Sequence, residues 1–592
     1  LDQLRVLVPS FNVSTIPIDD AASLVRPANL RGLPPDNTLV LVNGKRFHRS
    51  AVITFLGHGL SDGAQGPDLS VFPSLALEQV EVLRDGAAAQ YGSDAIAGVI
   101  NFGLKQAREG GTAEVFAGQF YEGDGFTHQY SAQIGLPLTE RGFATLTAEW
   151  RKADDTSRSV QRDDAAEAAA AGYPDIPNPA QIWGSPKVKD DLKIIANLGI
   201  SGDAVDLYLF GNYAKREIDG GFYYRTPTSR SGVYSNDGGE TLLVGDLTGA
   251  GGCPVIALRD ADGGLLPYAG VGAAVAALPS NCFTFLSVFP GGFTPRFGGE
   301  LEDRSVVGGI KGTWGDWHWD VSATHGRNQV DFTIYNTVNA SLGPDQPAGF
   351  RFSPGGNVQT ETGINVDVGR DFETGFTTQP LSLSAGAEWR KEEFEIRAGD
   401  AASTGIGPLT EQGFALGSNG FNGFSPRTAG SFDRANWAVY VDVEARFIEP
   451  LLLAAALAFQ AAGYAPCELC ILQRWPHLAA ALIGALILVA GCSRALAALG
   501  LLAALTATVF AVYHAGVEWQ WWAGPTACSG GVGDLAQLST AELMTRLNAA
   551  PVVRCDQPAF VFLGLSMAAW NAIFSAGLAI MWGMAAKRAK QA

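Results

Sequence analysis

Positive charge is scarce in this chain: 41 lysines and arginines stand against 59 aspartates and glutamates over 592 residues, a formal net charge of -18. That balance excludes a basic nucleic-acid binder, so no nucleic-acid partner is expected. With 47% apolar residues and 72 glycines in no fixed repeat, the composition also excludes a collagen-like chain and argues against a wholly disordered one. The opening LDQLRVLVPSFNVS lacks a basic run, an apolar core and an initiator methionine, so no signal peptide is read there and the start is taken as mature or truncated. Cysteine is nearly absent from the first 450 residues, where Cys253 and Cys282 stand alone, and then crowds into Cys467, Cys470, Cys492, Cys528 and Cys555. Charge divides at the same place, with a net of -20 before residue 451 and +2 after it. Two such unlike compositions in a chain of this length imply separate domains.

Residues 1–110 read as a small mixed α/β unit, with apolar strands TLVLVNG (38–44) and LEQVEVLRDG (77–86) between Gly and Pro punctuation. From 111 to 450 the pattern becomes alternation broken by Gly, Asp and Asn, giving about a dozen candidate strands. In ANWAVYVDVEARF, Trp437, Val439, Val441 and Val443 fall on one face and Tyr440, Asp442 and Glu444 on the other. A strand between lipid and water has this form. Periodicity alone leaves a soluble antiparallel sheet as the alternative. Cys253 and Cys282 lie in a Gly-rich stretch suited to an exported loop, where a structural disulfide between them is expected.

Two N-terminal segments carry a resemblance. NLRGLPPDNTLVLVNGKRFH (29–48) and VFPSLALEQVEVLRDGAAAQYGSDAIAGVINF (71–102) resemble the plug of TonB-dependent outer-membrane receptors. The resemblance implies a plug inside a transmembrane β-barrel, and uptake of a scarce small ligand once the TonB complex of the inner membrane pulls on the plug. Glu81 and Arg84 are expected to make buried polar contacts between plug and barrel wall, and Gly86, Gly92 and Gly98 to permit close backbone approach. The family barrel has twenty-two strands, whereas these stop near 447, so the barrel is expected to be incomplete.

After about 450 continuous apolar runs take over: 477–492, 495–513 and 558–586 are each long enough, or nearly so, to span a bilayer as a helix. The expected fold is therefore a multidomain membrane protein: an α/β plug and partial antiparallel β-barrel (1–110 and 111–450), then a bundle of three to four transmembrane helices (451–592). Arg494 and the tail KRAK (587–590) mark the cytoplasmic side. Cys467, Cys470, Cys528 and Cys555 then face the oxidising side, and Cys492 the reducing side as a passive thiol. In APCELCILQRWPH the pair Cys467 and Cys470 has redox spacing, with Arg474 placed to stabilise a thiolate. A zinc site would need a second close pair, which the spacing lacks, so no metal is expected. The acceptor that dissolves at a membrane face is a lipid quinone.

This segment, with YHAGVEWQWWAGPTACSGG (513–531) and RCDQPAFVFLGLSMAAWN (554–571), resembles the disulfide bond formation protein B (DsbB) family of thiol:quinone oxidoreductases. The resemblance makes Cys467 and Cys470 the disulfide that passes electrons to ubiquinone or menaquinone. Cys528 and Cys555 become the loop disulfide attacked by a DsbA-like periplasmic dithiol oxidase. It places Arg474 beside the quinone and the Cys470 thiolate, with Gln473 and His514 as further quinone contacts. Residues 534–550 would lie along the membrane surface, anchored by Trp519, Trp521 and Trp522. A vitamin K epoxide reductase-like enzyme is the second choice among enzymes. The 15 residues between Pro450 and Pro466 are too few for a spanning helix, so 451–465 is expected to be interfacial and the seam of a fusion. The chain is thus read as a DsbB-like inner-membrane enzyme joined to a truncated outer-membrane receptor. Its alternative is a ligand-uptake receptor, with the fusion a recombination or assembly artefact.

Overall fold

The computed structural model describes residues 2–13, 20–53, 63–84, 91–92, 94–373, 380–444, 460, 466–490, 493–522, 524, 555–556, 558, 560–562 and 564–588. The chain divides into two compact units, residues 1–371 with 382–443, and residues 372–381 with 444–592.

The first unit begins with a four-stranded sheet of β1 (Thr38–Val42), β2 (Lys45–Arg46), β3 (Leu77–Leu83) and β4 (Gly98–Leu104), in the order β2-β1-β4-β3. The run TLVLV is buried at every position, which suits an interior strand covered on both faces. Asn43 and Gly44 close the β1–β2 hairpin with φ of 48° and 80°, the two positive angles a two-residue turn of this hand needs. Gly98 (φ 149°) lets β4 approach β3, since a Cβ there would sit 2.1 Å from the Leu83 carbonyl oxygen. Gly92 also has positive φ (91°), whereas Gly86 lies outside the described residues.

Around this plug runs one antiparallel meander of ten strands, each paired with its sequence neighbours: β5 (Gly111–Gly118), β6 (Thr127–Pro137), β7 (Gly142–Ala153), β8 (Lys187–Ser201), β9 (Val205–Gly220), β10 (Arg296–Trp314), β11 (Trp317–Tyr335), β12 (Arg351–Phe372), β13 (Leu381–Arg397) and β14 (Gly430–Glu444). The sheet has ten strands rather than a dozen among the described residues. Residues 221–295 fold as a long loop, as expected for the Cys253 and Cys282 stretch, packed around Tyr234, Phe285 and Phe293 and closed by a Cys253–Cys282 disulfide. Outward positions such as Leu207, Leu209, Val306, Ile310, Ile364 and Val366 are exposed and apolar. Inward ones such as Asn197, Asn212, Asp303, Asn328 and Gln359 are buried and polar, the alternation of a lipid-facing strand. The two edge strands are bare: Val115 is 73% exposed on β5, and Trp437 and Val439 are 80% and 84% exposed on β14.

Plug and wall share one core, in which Phe47, Ile100 and Phe102 meet Ile195, Phe210 and Val307. Each such side chain contributes roughly 1.5–3 kcal/mol by its burial. The polar contacts are not those expected. Glu81 and Arg84 are exposed, because β3 is the outer strand of the plug sheet, and the Glu81 carboxylate accepts instead from Asn101 Nδ2 of the same sheet (2.8 Å). Links to the wall come from two buried pairs, Asp68, which accepts from Arg216 Nη2 (2.7 Å), and His48 Nε2 with Asp303 Oδ2 (2.9 Å), and from the half-buried pair of Lys45 with Asp320 (2.9 Å). Asp303 is further fixed by Asn212 and Asn328.

The second unit consists of α1 (Glu468–Leu472), α2 (Arg474–Ala490), α3 (Arg494–Glu518) and α4 (Met567–Arg588). Ser493 caps α3 by accepting from Leu496 N (3.3 Å). Small residues Ala497, Gly500, Ala504, Ala507 and Ala511 form its buried stripe, and a Cβ on Gly500 would strike the Trp582 ring of α4. Among the described residues α3 is the one helix long and apolar enough to cross a membrane, while α2, at 17 residues, and the apolar stretch Met567–Gly583 are shorter. Residues 451–459, 461–465 and 534–550, with Cys492 and Cys528, lie outside the described residues.

Burial alone pushes the His48 imidazole down, but the charge and hydrogen bond of Asp303, with Glu361 beyond, raise it above its ordinary value. Its contribution to stability is therefore full below the unfolded value of about 6.5 and fades as pH rises through the folded one. The difference in urea midpoint between wild type and His48→Gln, read by proteolysis of the plug, should be largest at pH 6 and shrink at higher pH. A difference independent of pH would show that Asp303 does not hold the protonated ring.

Candidate functional site

Cys467 and Cys470 stand three residues apart, the spacing that brings side chains to one face of a helical turn. Cys467 is the N-cap of α1, where its sulfur accepts the Cys470 backbone N–H (3.2 Å). Both residues are free thiols, and their sulfurs lie 2.7 Å apart. Pro476 falls in the first turn of α2, where its missing N–H costs no helical bond, so α2 starts directly after α1 and carries Gln473 and Arg474 at the junction. From α3, His514 brings Nε2 to 3.5 Å from the Cys467 sulfur, while its Nδ1 accepts from Gln473 Nε2 (2.6 Å). Glu518, one turn later, places Oε1 3.9 Å from the same Nε2 and accepts from the Ser566 hydroxyl.

Cys555 is disulfide-bonded, 1% exposed, and packed in one buried cluster with Cys467, Leu469 and Val517, against which Cys470 and Tyr513 also pack. Five of the residues singled out in the sequence, Cys467, Cys470, Gln473, His514 and Cys555, therefore meet in one place. Arg474 stands beside them at the head of α2. Its Nη1 donates to Gln460 Oε1 (2.9 Å), and its Nε is buried with no hydrogen-bond partner. The expected partner of Cys555, Cys528, lies outside the described residues, and the Cys253–Cys282 disulfide belongs to the other unit. Trp519, Trp521 and Trp522 are all exposed; Trp519 and Trp521 pack at 4.8 Å, and Trp522 donates to the Tyr513 carbonyl (2.9 Å).

Three contributors are absent from the sequence reading: His477, Asn571 and Ser575, which extend the polar group behind Gln473. The signal was present as spacing, since Gln473 and His477, and likewise Asn571 and Ser575, stand four residues apart on otherwise apolar helices.

The two thiols influence each other's titration. The hydrogen bond from Cys467 lowers the Cys470 thiol against the opposing effect of burial, and the Arg474 charge adds to it; Cys467 is pushed up as the donor and by its burial. Cys467, Cys470 and His514 also group as metal ligands would. However, two thiolates on tetrahedral zinc stay about 3.8 Å apart, given zinc–sulfur bonds of about 2.3 Å, so sulfurs at 2.7 Å do not fit that geometry.

Comparison with known proteins divides the chain as its geometry does. Residues 1–99 match the TonB-dependent Receptor Plug Domain, and residues 446–585 match Disulfide bond formation protein DsbB. The N-terminal part is similar to the Ferric enterobactin receptor of Pseudomonas aeruginosa, 31% identical over 143 residues, covering 24% of this chain and 19% of that receptor. It is also similar to the Vitamin B12 transporter BtuB of Vibrio vulnificus, 42% identical over 72 residues, covering 12% of this chain and 10% of the transporter. A crystal structure of a mutant of the Pseudomonas ferric enterobactin receptor aligns at a TM-score of 0.43 and 16% identity, covering 75% of this chain and 52% of the other. The chain thus spans a fifth or less of the length of these curated relatives. The plug match falls on the part that folds as a small sheet with a ten-stranded antiparallel meander, and the DsbB match on the helical thiol unit. The chain is consistent with a chimera whose N-terminal part resembles TonB-dependent receptors and whose C-terminal part resembles the DsbB family.

Because the thiolate is the nucleophile, iodoacetamide at pH 7 should modify Cys470 about tenfold faster than Cys467, read by peptide mass mapping. Faster modification of Cys467 would show that Cys470 is not the more readily ionised thiol.

Proposed function

We propose that the C-terminal unit is a thiol:quinone oxidoreductase of the inner membrane that reoxidises a DsbA-like periplasmic dithiol oxidase. The observation that carries this reading is the burial of disulfide-bonded Cys555 in one cluster with the Cys467 and Cys470 thiols. Sulfurs gathered in one buried cluster can exchange by thiolate attack on a neighbouring disulfide. In the forward direction a reduced partner dithiol attacks the Cys528–Cys555 disulfide, leaving the partner oxidised and two thiols in the loop. Those thiols exchange with a Cys467–Cys470 disulfide, which becomes the dithiol and restores the loop disulfide. The dithiol then loses two electrons and two protons. Ubiquinone or menaquinone, when bound, supplies the two-electron, two-proton acceptor.

The residues at hand suit such a group. The buried, unpartnered Nε of Arg474 is a cationic donor of the kind a carbonyl oxygen accepts from, and Gln473 and His514 stand beside it. We place Trp519, Trp521 and Trp522 at the membrane surface, and α2, α3 and α4 across it, with 451–465 as an interfacial segment.

A second reading is favoured by the polar links of Lys45, His48 and Asp68 to the wall: a TonB-dependent outer-membrane receptor part that takes up a small ligand such as a siderophore. In that case the fusion is an artefact of recombination or assembly, and added ligand would protect the plug from protease.

Purified full-length chain should reduce a quinone analogue at the expense of a reduced dithiol oxidase. Cys467→Ala should abolish this, and Arg474→Leu should raise KM for the quinone about tenfold, the loss of one charged hydrogen bond. Turnover by Cys467→Ala at the wild-type rate would contradict the assignment.

A further inference from the structure

The last turn of α3 and the residues just after it fold back on the helix. Trp519 N–H donates to the Ala515 carbonyl (2.9 Å), Gln520 N–H to the Val517 carbonyl (3.1 Å) and Trp521 N–H to the Gly516 carbonyl (2.8 Å). Gln520 takes up the reversal at φ 61°, in the left-handed region where a residue other than glycine is strained. Trp522 is thereby laid along α3. Its Nε1 donates to the Tyr513 carbonyl (2.9 Å), and its ring stacks on that of Tyr513, with centroids 6.1 Å apart and planes 7° apart. Beneath the ring stands Gly516, where a Cβ would fall 2.1 Å from Cζ2 of Trp522. Gly516 has ordinary helical backbone, so the conformational freedom of glycine is not needed there, and alanine would suit the helix better. What the position needs is the room.

This seat adjoins the sulfurs. Val517, the next residue along α3, is buried in one cluster with Cys467 and Cys555, and Tyr513 packs against that cluster. In the other direction, Trp522 stands six residues ahead of Cys528, the proposed partner of Cys555. The ring therefore ties the chain that leaves α3 for the loop cysteine to the same helical turn that walls the thiols. A tryptophan that only anchors a membrane surface requires neither a glycine beneath it nor a bond to a helix carbonyl. Disulfide exchange, by contrast, requires three sulfurs brought close together, and its rate falls steeply with small misplacements.

We propose that Trp522 and Gly516 are positioning residues for the internal exchange: the ring seated on Gly516 fixes the direction in which the chain leaves α3, and so holds the loop cysteines against Cys467 and Cys470. In the step they serve, a loop thiolate attacks the Cys467–Cys470 disulfide, forming a mixed disulfide and releasing one thiolate. The second loop thiol then displaces the mixed disulfide. Two electrons and two protons pass from the loop pair, which becomes the disulfide, to Cys467 and Cys470, which become the dithiol. The clamp rests on the oxidoreductase reading for its biological use, but its test follows sulfur exchange without quinone.

The test uses the oxidised full-length chain in detergent, freed of quinone and given one equivalent of dithiothreitol, with free thiols mapped by mass after acid quenching. In the wild type, thiols that appear on the peptide holding Cys555 should pass to the peptide holding Cys467 and Cys470. Trp522→Ala should slow that passage about tenfold. Gly516→Ala should slow it equally, although alanine is the better helix former, with helical circular dichroism and the Cys555 disulfide intact before reduction. The double variant should be no slower than either single one, since both remove the same contact. Passage at the wild-type rate in Trp522→Ala would overturn the clamp, as would additive slowing in the double variant, equal slowing by Trp519→Ala, or no passage in the wild type. Should the wild type reduce no quinone analogue while Trp522→Ala still slows the passage, the oxidoreductase reading falls and the clamp stands.

Discussion

Hydrocarbon offers no partner to a backbone N–H or C=O, so any segment at membrane depth must satisfy those groups within the protein. The two halves of the chain stand differently to that requirement. The helices α2, α3 and α4 satisfy it internally, one turn to the next. The strands β5 to β14 satisfy it only through neighbours, and their meander ends in two edges whose side chains, Val115 on one and Trp437 and Val439 on the other, are bare. An open sheet carries unpaired backbone along each edge. The helical unit is therefore the half that meets the membrane requirement without further strands.

Once the backbone is satisfied, the polar side chains of the helical unit have few choices, and they group. Gln473 and His477, His514 and Glu518, and Asn571 and Ser575 are pairs four residues apart on three different helices, and the first, second and third helix each turn such a pair inward. A buried amide or imidazole without a partner costs on the order of 1–3 kcal/mol, so Gln473, His477, His514 and Asn571 are satisfied by one another, while Glu518 accepts from Ser566. That same network reaches the sulfur of Cys467, which links packing in the helices to the reactivity of the thiol pair. The plug follows a parallel logic with charges: Asp68 and Arg216, and His48 and Asp303, are buried together because either alone would be costly.

Much of this was legible in the chain itself, and the parts that were not share a cause. TLVLVNG announced an apolar strand, and it forms β1 and the hairpin that follows. The alternation of ANWAVYVDVE announced β14, with Trp437 and Val439 outward and Tyr440 inward, where its hydroxyl donates to Asp367 (2.8 Å). The spacing of Cys467, Cys470 and Arg474 brought the thiol site forward. Glu81 and Arg84 were misplaced because a strand pattern does not say whether the strand is central or at an edge, and β3 is at an edge. His477 and Asn571 went unnoticed because their contact spans 94 residues and no local pattern records it.

The most direct measurement is a thiol count on the reduced full-length chain before and after one equivalent of a water-soluble ubiquinone analogue, with the peptide holding Cys467 and Cys470 resolved by mass. The arrangement of sulfurs predicts that two thiols disappear from that peptide as a disulfide, while one quinone is reduced per chain. If both thiols persist while the quinone stays oxidised, the pair is not the redox centre, and the helical unit does not do the chemistry proposed for it.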